Sequence, residues 1–157
     1  MKNLFLIIIL IFLGNSNCQS QTVLNTDGLN NLDNVFLFSL KQYCNSLDSL
    51  KTKIVYVKRD NFVGESWPNK INSFEIKYLG DFDYKKIIQR NGDNITVVGI
   101  GSLEYRNDKF YVGVTPFSTS YSKKTVHFIN GGGLIIYFEY DNTKKGLIYK
   151  TEEWIGI

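Results

Sequence analysis

His127 is the only histidine in a chain of 157 residues, so any imidazole chemistry must run through it. A hydrolase built on this residue needs a nucleophile within hydrogen-bond reach and a carboxylate to orient the ring. If a hairpin turns at Ser122-Lys123, Ser118 falls opposite His127. If a second hairpin turns about Gly132, Tyr137 falls opposite on the other side. Glu139 lies on the same strand face as Tyr137, because side chains alternate along a strand. The same registers set Phe117, Phe128 and Ile136 side by side on the reverse face. The candidate catalytic residues are therefore His127, Ser118 and Glu139. No Gly-x-Ser-x-Gly elbow accompanies them, which weighs against an acyl-transfer site.

Other chemistries find less support. One histidine, scattered carboxylates and no cysteine pair do not make a zinc cage, so no metal site is expected. Glu152 and Glu153 are strand neighbours that point to opposite faces and cannot act as a carboxylate pair. Gly131-Gly132-Gly133 precedes a strand and no Lys-Ser or Lys-Thr follows it. It reads as a hairpin loop, not as a phosphate cradle, and no cofactor is implied. The formal charge is +3, and Lys85-Lys86, Lys123-Lys124 and Lys144-Lys145 read as separate solvated pairs. No dense basic face of the kind a nucleic acid requires is visible. Trp67, Tyr111 and Tyr137 are the aromatic candidates for binding an unknown protein or small ligand. Trp67 precedes Pro68, which extends the backbone there, so its ring can cap a pocket or seal the edge of the core.

These residues hang on a sheet announced by alternation between Asn94 and Trp154. Continuous apolar character from Ile95 to Ile100 predicts a strand covered on both faces. Asn107-Asp108 predicts a two-residue turn. Phe110, Val112 and Val114 share one parity; beyond Pro116 the apolar set moves to Phe117, Thr119 and Tyr121. A proline there predicts a bulge or an edge. Val126 and Phe128, then Leu134 to Tyr140, then Leu147 and Tyr149 complete a meander. Upstream, Leu32, Phe36, Leu40, Tyr43, Leu47 and Leu50 make a helical stripe over 31–50, capped by Asn31 or Asp33. Strands follow over 53–58, with a hairpin partner over 62–65, and over 74–78. A short helix begins after Asp81 or Asp83 and ends at Asn91-Gly92. The expected class is α+β: one long N-terminal helix and one short helix packed on one side of a curved antiparallel sheet. In outline this is similar to cone-shaped folds of the nuclear-transport-factor type, a topological likeness that assigns no residue a role.

The chain opens with Met1-Lys2-Asn3 and ten apolar residues from Leu4 to Leu13, followed by small and polar residues. A bilayer-crossing helix takes roughly 20 apolar residues, so residues 1–20 read as a secretory signal cut before Gln21. Lipidation at Cys18 is the alternative, with Asn17 departing from the small residue usual before such a cysteine. Residues 21–30 read as a flexible lead-in and 31–157 as one domain, with no transmembrane helix after the signal is removed. Cys44 is then the surviving thiol, expected buried in the helix and outside any disulfide framework. The signal, the composition and the run Phe128-Ile129-Asn130-Gly131-Gly132-Gly133 are similar to those of small exported proteins of Gram-negative bacteria. The expected function is a non-enzymatic cell-envelope or secreted binding module, for example an immunity-type protein that blocks a toxin. A periplasmic hydrolase using His127 is the alternative.

Overall fold

The computed structural model describes residues 22–47, 53–92 and 94–156. The expected signal, Cys18 and Leu50 lie outside the described residues. Two helices and one mixed, mostly antiparallel sheet make an α+β fold. The elements run α1 (Val35–Ser46), β1 (Ile54–Lys58), β2 (Lys70–Ile71), β3 (Phe74–Leu79), α2 (Tyr84–Asn91), β4 (Asn94–Arg106), β5 (Lys109–Ser122), β6 (Thr125–Asn130), β7 (Gly132–Asp141) and β8 (Gly146–Gly156). The strand order is β2-β3-β1-β4-β5-β7-β8, with β6 also on β5.

Two expectations of layout need correction. The sheet is not wholly antiparallel, because β1 pairs in parallel with both β3 and β4. Parallel neighbours need a crossover rather than a tight turn. That is why 62–65 forms no hairpin partner to β1: the chain there crosses over the sheet, burying Val63 and Trp67. Nor do both helices lie on one side, as a cone would have them. Alternation decides this: Val98 packs in the cluster under α1, whereas its neighbour Val97 packs with Tyr84 and Ile88 of α2. Strand β4 is thus sandwiched, and Val97 and Val98 are both fully buried, as its continuous apolar run predicts.

Helix α1 starts later than the stripe suggests. Asn34 is its cap, extended in backbone and accepting the Phe36 N–H through its side chain at 2.8 Å. A side-chain oxygen satisfying an orphan amide in this way is worth about 1 kcal/mol. Leu32 falls outside the helix and is exposed, while Val35, Leu37, Leu40 and Cys44 are fully buried. The buried face is therefore wider than one stripe. Phe38, off the stripe, stacks against Phe138 and Tyr149. α2 presents only Tyr84, Ile88 and part of Ile87 to the sheet, and Gly92 in the left-handed region stops it (φ 86°).

Strand β5 binds these layers together. It pairs with β4 from Asn94↔Ser120 to Arg106↔Lys109, with one extra β4 residue between Ile100 and Leu103. The pairing runs straight through Pro116↔Val98, so the proline marks no bulge in β5. The apolar parity changes there because the cover changes. Val112 and Val114 face α1, while Tyr121 packs under α2.

On its other side β5 holds β6 and β7 in line. Phe117 pairs with Asn130 and Val114 with Leu134. Between those pairs three glycines, Gly131 to Gly133, oppose Thr115 and Pro116. The triglycine is thus not a hairpin loop. It is a bulge that lets one strand continue from β6 into β7. The lack of side chains is required here. A Cβ on Gly132, at φ 119°, would lie 2.2 Å from the Ile155 carbonyl oxygen, and one on Gly133 would lie 2.9 Å from that of Val114. Gly131 has open space. Gly132→Ala is therefore expected to destabilise the fold by about 1–3 kcal/mol or more through overpacking and backbone strain, while Gly131→Ala stays within about 0.5 kcal/mol of the parent. Urea melts of the two variants check this; equal midpoints would refute the bulge.

Candidate functional site: the uncovered half of the sheet

The registers relocate the residues expected to do chemistry. The β5–β6 turn falls at Lys123-Lys124, both with positive φ (48° and 66°), one residue later than expected. His127 therefore pairs with Ser120, and Ser118 with Ile129. Since β6 and β7 are collinear, Tyr137 is not across from His127; it pairs with Tyr111. Glu139 pairs with Ile148 and forms an ion pair with Lys150. His127 and Ser118 are both exposed, one on each of two strands, at a diagonal spacing of roughly 7–8 Å. Neither side chain makes a hydrogen bond among the described residues. Phe117 and Phe128 do meet, ring centroids 5.9 Å apart, but Ile136 belongs to the cluster on the opposite face.

Of the aromatic candidates, Trp67 is buried and its indole N–H donates to the Leu29 carbonyl at 2.5 Å. It fastens the segment before α1 to the crossover loop, while Leu24 of that segment exchanges backbone hydrogen bonds with Leu147 of β8. Tyr111 and Tyr137, in contrast, are brought together. Their ring centroids lie 6.2 Å apart on neighbouring strands.

They stand on the side of the sheet that carries α2, on the half that no other described element covers. Parity places them there: Phe110, Val112, Ile136 and Phe138 turn inward to α1, so Tyr111, Ile135 and Tyr137 turn outward. Ile155, half exposed, comes from β8 to join them. Arg106 and Lys109 supply the rim from the β4–β5 hairpin, and these residues enclose a shallow depression of about 390 Å³. The Lys109 ammonium sits 5.5 Å from the centre of the Tyr137 ring, a cation–π contact. The Tyr111 hydroxyl donates to the Glu104 carboxylate, and that hydrogen bond raises its pKa above the ordinary 10.0. The floor is apolar and aromatic, the rim is cationic, and the Tyr111 hydroxyl is oriented by Glu104. Such a surface can bind an apolar group with a negative charge beside it. Arg106, Lys109, Ile135 and Ile155 escape the sequence reading. One signal was present: Leu134 to Phe138 is apolar at every position, which gives β7 an apolar face on both sides, and only one is covered.

No protein-family model, curated protein or solved structure matches the chain. Among the described residues no group of three or more histidine, cysteine, aspartate or glutamate side chains could hold a metal ion, and no helix is long and apolar enough to cross a membrane.

The thiol of Cys44 is shielded on α1, and burial pushes its pKa from 9.0 up to about 12. Tyr43 beside it rises from 10.0 to about 12, by burial first and by the neighbouring Cys44 second. Both folded values exceed the unfolded ones, so the unfolded chain releases these protons first. The stability tied to the neutral groups is complete below pH 9.0 and is lost as pH rises through about 12. Cys44 is thus expected to resist Ellman's reagent at pH 8 in the native protein and to react at once in urea. Fast labelling of the native chain at position 44 would contradict the packing.

Proposed function

We propose that this protein is an exported, non-enzymatic binding module of the cell envelope or its surroundings. Its binding surface is the uncovered half-sheet around Tyr111 and Tyr137. The observation that carries this reading is the pairing of two half-exposed tyrosines, 6.2 Å apart, over an apolar floor with Arg106 and Lys109 at the rim. Tyrosine and arginine dominate the energetics of protein–protein recognition, because they supply large contact area and hydrogen bonds together. The partner is another protein that presents an apolar or aromatic side chain next to a carboxylate. Blocking of a toxin by an immunity-type protein is one activity of this kind.

The signal-like residues 1–20 support export, and periplasmic or secreted placement is the reading they favour. Lipid anchoring at Cys18 gives the envelope-bound form of the same module. The hydrolase alternative draws on His127 alone. Ser118 is two residue pairs removed from it and Glu139 is engaged with Lys150, so a base, nucleophile and orienting carboxylate do not converge.

The test is site-specific photo-crosslinking in cells. A benzophenone side chain placed at Ile155, on the rim of the depression, is expected to capture a partner. Tyr111→Ala combined with Tyr137→Ala should weaken binding of that partner at least about 30-fold, the loss of roughly 2 kcal/mol typical of central anchors, while the far-UV spectrum stays that of the parent. Capture and affinity unchanged in the double variant would sink this assignment. Hydrolysis of ester substrates that disappears with His127→Ala would favour the alternative.

A further inference from the structure

Two basic pairs that are distant in the sequence, Lys85-Lys86 on α2 and Lys123-Lys124 at the β5–β6 turn, are brought to one end of the fold by the packing of Tyr121 on α2. The Lys85 ammonium lies 5.7 Å from the centre of the Tyr121 ring. Tyr121 is two residues from the Lys123-Lys124 turn, and it packs together with Tyr84 and Ile88 of α2. Helix α2 turns its buried stripe of Tyr84 and Ile88 to the sheet, which leaves Lys85, Lys86 and Arg90 exposed on the other side. None of these cations has an ion pair among the described residues. At the head of the helix Phe82 is 99% exposed, more than any other large apolar residue described. It borders the same shallow depression as Lys85, Lys86 and Arg90. Asp81 and Asp83 flank it, and the Asp83 carboxylate is turned back to accept the Gly80 N–H at 3.0 Å.

We infer that α2 and the β5–β6 turn form a docking surface for an anionic phospholipid membrane, with Phe82 entering the acyl boundary. This inference does not rest on the sheet-face reading. Five cations, Lys85, Lys86, Arg90, Lys123 and Lys124, outnumber the carboxylates nearby, Asp81, Asp83 and the Asp60 that also acts on Tyr84, and leave the surface net positive. Charge complementarity thus selects an anionic partner. Phe82 selects among anionic partners, for its ring is 99% exposed and the depression it borders is lined otherwise by polar and charged side chains, with no apolar wall to enclose a base or a peptide side chain. A lipid surface asks for no such shape. It offers negative headgroups with an apolar layer directly beneath, and a basic helix face with an exposed aromatic residue matches both.

The full-length chain with Phe82→Trp is mixed with vesicles whose acyl chains carry bromine, a contact quencher of indole. Vesicles of phosphatidylcholine alone are compared with vesicles that also contain phosphatidylglycerol. The parent chain, with Trp67 and Trp154, provides the background. Extra quenching is expected only with phosphatidylglycerol and should fade as salt is raised. Lys85→Ser with Lys86→Ser should weaken it about 30-fold, at roughly 1 kcal/mol for each lysine near the surface. No extra quenching on anionic vesicles overturns the inference. Equal quenching on both vesicle types, or quenching that survives the double lysine change, overturns it as well.

Discussion

The fold depends on one long strand that is covered on opposite faces at its two ends. The first half of β5 gives Val112 and Val114 to the core beneath α1, and its second half gives Thr119 and Tyr121 to the side of α2. Side chains alternate strictly along a strand, so a change of cover must appear as a change of apolar parity. The pairing of β5 with β4 passes unbroken through that change, at Pro116↔Val98. The two clusters are therefore held by a single ladder. The partner on the other side has to follow the same strand past the proline, and the glycine bulge at 131–133 allows it to do so.

This arrangement explains where the proposed binding surface lies. α2 is eight residues long and shields the end of β3, with β1, β4, late β5 and β6, on its side of the sheet. The start of β5, with β7 and β8, keeps its outward side chains in the open. Burial of an apolar side chain is worth about 1.5–3 kcal/mol, and Ile135, Tyr137 and Ile155 forgo part of that gain in the isolated chain. Their retention is understandable if a partner completes the burial. The same logic separates Trp67 from the tyrosines. Its indole is satisfied internally by Leu29 and is committed to closing the core.

The elements themselves were largely legible. Helix α2 with its Gly92 stop, the Asn107-Asp108 turn (φ 51° and 60°) and the two-sided burial of β4 follow from local chemistry and periodicity. The site was legible in part: Tyr111 and Tyr137 were singled out, but their contact depends on register. Register failed at two places, at a turn without glycine and at the triglycine. A turn shifted by one residue moved Ser118 away from His127, and a triglycine taken as a loop was a bulge, so β6 and β7 do not face each other. At the triglycine, glycine permits both conformations equally; at the turn, Lys123 and Lys124 carry positive φ, which their residue type does not announce.

The sequence by itself determined the α+β class, the order of elements, the isolation of the single histidine and the aromatic richness of the strands. Those properties are set by composition and by periods of two and 3.6 residues, which are local. Only the tertiary structure decided that β1 lies parallel between β3 and β4, that the helices take opposite faces, and that Lys85 of α2 sits over the Tyr121 ring beside the Lys123-Lys124 turn. It alone also left Tyr111 and Tyr137 uncovered. Each of these depends on pairing between residues far apart in the chain, and such pairing is fixed by the shared burial of whole faces rather than by any neighbouring residue.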